Sequence, residues 1–171
     1  MRFRFYLAAA AATLAAVTPA VAQQASDTAQ ARGTVLQSLS LVRQTHLDFG
    51  TVAPDAVNPG TVSIDADTGA RSTTGGVVGL PSTFTRAQFD GYGTAANTVL
   101  LTLSQPAGGV ICNAGCANTI PAVLNLDSGG TTRTIPAGGV FSVYVGGDFT
   151  IAASQPSGLY SAQFTLTADY Q

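Results

Sequence analysis

From Tyr160 onward the chain alternates strictly. Tyr160, Ala162, Phe164, Leu166, Ala168 and Tyr170 fall on one face, and Ser161, Gln163, Thr165, Thr167 and Asp169 on the other. A period of two is that of a strand with one face buried, so the pattern predicts a strand from Tyr160 to Tyr170 that contributes Tyr160, Phe164 and Leu166 to the core. Upstream, from Thr34, shorter runs of the same kind recur near 34–43, 45–53, 60–65, 75–80, 83–90, 97–104, 120–126, 131–135, 140–145 and 148–152. The breaks between them carry turn chemistry. Asn58-Pro59-Gly60, Asp67-Thr68-Gly69, Asp90-Gly91, Ser128-Gly129-Gly130, Pro136-Ala137-Gly138-Gly139 and Gly146-Gly147 supply the fixed φ of proline or the conformational freedom of glycine. No 3.6-residue period interrupts the series. Many short strands without intervening helices exclude a doubly wound fold and predict an all-β domain over residues 34–171, an immunoglobulin-like two-sheet β-sandwich.

The first 22 residues read differently. Arg2 and Arg4 precede an apolar run from Phe5 to Val17, which ends in Pro19 and the small-x-small sequence Ala20-Val21-Ala22. The run is too short for a membrane span and has the order of a secretory signal peptide, cleaved after Ala22. Residues 23–33 are small and polar, with nothing large to bury, and are expected to form a flexible N-terminal segment.

Composition supports both readings. The chain has no Lys and no Glu, but 22 Thr and 19 Gly, a balance that favours strands and turns over helices. Without residues 1–22, five arginines face nine aspartates, a net charge of −4. That leaves no basic patch for nucleic acid, and no later apolar run is long enough to span a membrane as a helix.

Candidate chemistry is sparse. Cys112 and Cys116 enclose Asn113-Ala114-Gly115, and in an exported chain they are expected to form a local disulfide that shapes a loop. His46 is the single histidine; with no nucleophile-elbow pattern, a hydrolase triad with Ser38 or Ser40 is not expected. Asp65-Ala66-Asp67-Thr68-Gly69 begins like a calcium loop but lacks its later oxygen ligands, and a strand-ending turn is the better account. The glycines of Gly75-Gly76-Val77-Val78-Gly79 precede no helix start or lysine, so they read as turn or bulge positions. No catalytic residue, metal site, cofactor or small-molecule substrate is expected.

Two resemblances bear on function. Gly158 stands fourteenth from the end and Tyr170 is penultimate, which resembles the C-terminal motif of pilins assembled by the chaperone–usher route. The stretches Leu47-Asp48-Phe49-Gly50-Thr51-Val52, Gly60-Thr61-Val62-Ser63-Ile64-Asp65, Tyr144-Val145-Gly146-Gly147, Gly158-Leu159-Tyr160-Ser161 and Asp169-Tyr170-Gln171 resemble the bacterial family of domain of unknown function 4402. Its members look like exported, pilin-like or adhesin-like sandwiches without catalytic residues. The resemblance implies a non-catalytic subunit of a surface filament or fimbria-like appendage, with other copies of itself and a periplasmic chaperone as partners. Gly158, Tyr160, Ala162, Phe164, Leu166, Ala168 and Tyr170 would form the assembly strand, and Val35, Leu39 and Leu41 the candidate donor segment. In the pilins the disulfide ties an early strand to its neighbour, whereas Cys112 and Cys116 lie late and close together. The alternative is a monomeric secreted or surface-associated module that binds glycans or proteins through its loops.

Overall fold

The computed structural model describes residues 24–171; the signal peptide expected at residues 1–22 lies outside them. Residues 24–34 are exposed and contain no helix or strand. Val35–Gln171 forms a separate compact unit of twelve strands: β1 (Ser40–Thr45), β2 (Val52–Pro54), β3 (Gly60–Ile64), β4 (Arg71–Gly75), β5 (Val77–Gly79), β6 (Ala87–Tyr92), β7 (Thr98–Ser104), β8 (Val110–Cys112), β9 (Thr119–Leu126), β10 (Thr132–Thr134), β11 (Val140–Ile151) and β12 (Thr165–Tyr170). Every pairing is antiparallel. The result is an all-β fold of several sheets.

The largest sheet is built on β11. Val145 pairs with both Ala87 of β6 and Leu126 of β9, and Gly147 with both Ile64 of β3 and Leu124 of β9. A strand has two edges, so β9 holds one of them while β6 and then β3 take the other in succession. β1 extends the sheet beyond β6, β4 beyond β3, and β8 beyond β9. A second sheet has the order β10-β7-β12, and β2 and β5 form a separate hairpin.

β11 is one strand where the sequence predicts two strands and a Gly-Gly turn. A Cβ on Gly146 would stand 2.2 Å from the Ile64 carbonyl oxygen and 2.7 Å from the Ala66 nitrogen. The glycine therefore serves close backbone approach where β6 gives way to β3, and the chain runs straight through. Gly91 corrects the reading of Asp90-Gly91 as a turn in the same way. It lies inside β6, opposite Phe141, whose ring would be 2.1 Å from an added Cβ. Alternation does not predict β4, because Arg71-Ser72-Thr73-Thr74-Gly75 has no apolar residue; it is an exposed edge strand held by its ladder to β3.

Alternation along β11 places Phe141, Val143, Val145, Phe149 and Ile151 on the buried face. The first two pack with Val99 and Leu101 of β7, Ile135 and Leu166 of β12. Phe149 and Ile151 pack with Val62, Val77, Ile120 and Ala122. Val145, Ala87 and Leu124 form a third cluster, with Phe164 against it and Phe89, Leu103 and Leu126 shared with the Val99–Leu166 group.

This distribution ranks the side chains energetically. Leu101 is 1% exposed and Val123, on the outer face of β9, is 64% exposed. Leu101→Ala is expected to cost about 2–5 kcal/mol in urea unfolding, and Val123→Ala no more than about 0.5 kcal/mol.

Candidate assembly surface

β1 and β12 are both end strands, β1 of the large sheet and β12 of the three-stranded one. Each is paired along one side and presents unpaired backbone groups on the other. Between them opens a groove of about 390 Å³, lined by Arg43 and His46 at the end of β1, Phe89 of β6, and Ala162, Gln163, Phe164 and Thr165 leading into β12. Phe89 and Phe164 form its apolar floor, their ring centroids 6.1 Å apart in an edge-to-face arrangement at 75°.

The C-terminal run is divided here. Its strand begins at Thr165, and the alternation holds from Phe164 through Leu166, Ala168 and Tyr170. Ala162 is exposed and Gly158 lies in a loop, so neither belongs to the strand, contrary to the pattern-based expectation. Tyr160 is half-buried against the Val62–Phe149 cluster. Its hydroxyl donates to the Pro156 carbonyl at 2.8 Å and accepts from Gln155 Nε2 at 3.0 Å. Ser161 exchanges two backbone hydrogen bonds with Cys112. The segment thus crosses from one part of the core to the other before it joins β7, a course that period-two alternation does not encode.

The penultimate tyrosine is a clamp. The Tyr170 hydroxyl donates to the Gln37 carbonyl at 2.9 Å and accepts from the Thr94 N–H at 2.7 Å, while the Gln37 N–H donates to Thr94 Oγ1 at 2.6 Å. This ties the lead into β1 to the C-terminus. Leu39 and Leu41 pack against the Val99–Leu166 cluster, and β1 pairs with β6 of its own chain. Val35, by contrast, is 95% exposed.

A second surface groove, of about 530 Å³, lies between β7 and β9. Its strand edge is capped by a side chain. Gln105 accepts from the Leu124 N–H at 2.7 Å and donates to the Leu124 carbonyl at 2.8 Å, standing in for a neighbouring strand. The adjacent Asp127 accepts from Arg133, Gly129 N–H and Tyr144 N–H.

The other sequence candidates have structural uses. Cys112 and Cys116 are joined by a disulfide across a 3₁₀ turn. His46 is exposed and its carbonyl accepts from Thr85 Oγ1; among the described residues no hydrogen bond joins its ring to a serine or aspartate. Asp67 accepts from the Ser128 N–H at 2.8 Å, and Asp65 accepts from the Thr68 N–H at 2.6 Å and its hydroxyl at 2.8 Å. These contacts make the segment a turn. Among the described residues no three His, Cys, Asp or Glu side chains gather as metal ligands.

Two predictions follow from these contacts. Tyr170→Phe leaves the Thr94 N–H and Gln37 carbonyl without their partner, and is expected to lower unfolding free energy by about 1–2 kcal/mol and to speed amide exchange at Thr94. The Thr68 backbone N–H, then its hydroxyl, holds the Asp65 carboxyl below its ordinary value of 3.8. The stabilisation tied to that lowering is present above 3.8 and lost as pH falls through the folded-state value. Thr68→Ala should move the NMR titration midpoint of Asp65 part of the way back up.

No curated protein and no solved structure matches the chain. A family model does, that of the domain of unknown function DUF4402, over residues 39–170. The match spans β1 to the end of β12, the strands that bound the open groove among them, and the chain belongs to the DUF4402 family.

Proposed function

We propose that the chain is a non-catalytic structural subunit of a bacterial surface filament: an immunoglobulin-like β-sandwich, exported through the periplasm and assembled by strand complementation. The observation that carries this reading is the pair of unpaired strand edges, β1 and β12, flanking an open groove floored by Phe89 and Phe164. An extended segment laid there gains backbone hydrogen bonds from an edge and apolar contact from the floor at once. Donor and acceptor surfaces differ in such a contact, so it is heterologous and propagates into a filament. The capped edge at Gln105 supports the same reading, since one rim is protected against pairing and the other is open. A periplasmic chaperone would cover the open rim before assembly by lending a strand of its own.

Expression with export, followed by negative-stain microscopy and unboiled SDS gels, tests the proposal. Filaments and a ladder of multiples are expected. A protein that stays monomeric at every concentration and binds glycans reproducibly would replace it with the secreted binding-module reading.

A further inference from the structure

We infer that Gln105 decides where this domain can accept a strand: its carboxamide occupies a second acceptor edge, on β9, which would otherwise pair with a second copy of the chain. The inference rests on the filament reading for its purpose, and goes beyond it in naming the residue that keeps assembly off this edge.

β9 lacks a neighbouring strand over part of its length. β11 runs along one edge from Ala122 to Leu126, whereas β8 covers the other only from Thr119 to Pro121. Upstream of β8 the chain curls through the 3₁₀ turn Ala107–Gly109, so no backbone follows this edge past Pro121. The opposite wall of the groove is β7, whose ladder to β10 covers only Thr98 to Leu100, with one further bond from the Leu101 N–H to the Thr131 carbonyl. Two strand edges therefore face one space of about 530 Å³, and Leu100, Leu101, Leu103, Leu124 and Leu126 line it. Unpaired backbone at the rims and apolar side chains beneath are what strand addition requires.

Gln105 takes the place of that strand. A hydrogen-bonded residue of an antiparallel ladder exchanges an N–H and a carbonyl with the residue opposite. Leu124 makes this exchange with a side chain: its N–H donates to Gln105 Oε1 at 2.7 Å, and its carbonyl accepts from Gln105 Nε2 at 2.8 Å. Asn and Gln are the side chains that carry the donor and acceptor of a peptide group. Unlike a strand, the carboxamide has no far edge, so the ladder stops there. An incoming strand must break both bonds to form the same two, which leaves it no net gain in hydrogen bonding at Leu124. The carboxamide also ties the β7 sheet to the large one, and a tie alone predicts lost stability on its removal without any new association.

The test is Gln105→Met in the full chain, which keeps the length of the side chain and removes both bonds. Gln105 is exposed, so the variant should fold. Amide exchange is followed residue by residue over a concentration series. In the unmodified chain, protection at Leu124 should be the same at every concentration. In the dilute variant the Leu124 N–H should exchange about tenfold faster or more, and protection should return at Ala122, Leu124 and Leu126 together as concentration rises. Gln105→Glu sets a charge at the edge, which opposes strand pairing, so its Leu124 should gain no protection with concentration. A methionine variant whose Leu124 stays open at every concentration would overturn the inference and leave Gln105 as a tie between sheets. So would one whose Leu124 remains fully protected when dilute, or a glutamate variant that pairs as the methionine variant does. Assembly through β1 and β12 does not involve Leu124, so failure of the filament reading would show separately, as an unmodified chain that never associates.

Discussion

The fold depends on β11 being paired along both edges through its centre. Because β9 runs along one side while β6 and β3 share the other, a single twelve-residue strand fixes the relative register of three others. Its odd-numbered side chains then feed two regions of core that would otherwise be independent. The arrangement requires that the backbone at the handover carry no side chain. Gly146 meets this requirement, with the Ile64 carbonyl 2.2 Å from where a Cβ would stand. One missing methyl group thus lets β3 follow β6 along the same edge.

A sheet system organised around its middle leaves its ends to be managed one by one. The β9 edge near Leu124 is satisfied by the Gln105 carboxamide, which reproduces the donor and acceptor of a strand without offering a further edge. The β8 end is joined to the segment before β12 by the Cys112–Ser161 bridge. The β1 and β12 edges have no such cover among the described residues, and the surface between them is apolar at its base and basic at its rim. Local satisfaction of one edge and exposure of another, on a domain of net negative charge, is the asymmetry from which the functional proposal is drawn.

Tyr170 joins this surface to the chain's own N-terminal strand. Its ring packs with the same cluster as Leu39 and Leu41, and its hydroxyl holds Gln37 and Thr94 together. β1 is thereby anchored at home. A domain built this way holds the start of its first strand and the end of its last in one cluster, an arrangement set by one side chain near the end of the sequence.

The sequence by itself determined the class of the fold and much of its strand content. Alternation at Thr98–Ser104, Thr119–Leu126 and Phe164–Tyr170 is strong because each of these strands buries one face and wets the other. The family was legible as well, from short motifs spread over the length that its model matches. Tertiary structure decided what alternation leaves open. A period of two assigns side chains to faces but names no partner strand, so the crossing of residues 156–164 between two parts of the core was not readable. Nor was the home packing of Leu39 and Leu41. Glycine was the other ambiguity. Gly-Gly and Asp-Gly signal a turn when the chain must reverse and a strand when another group must come close, and only the positions of Ile64, Ala66 and Phe141 show that the second reason applies at Gly146 and Gly91.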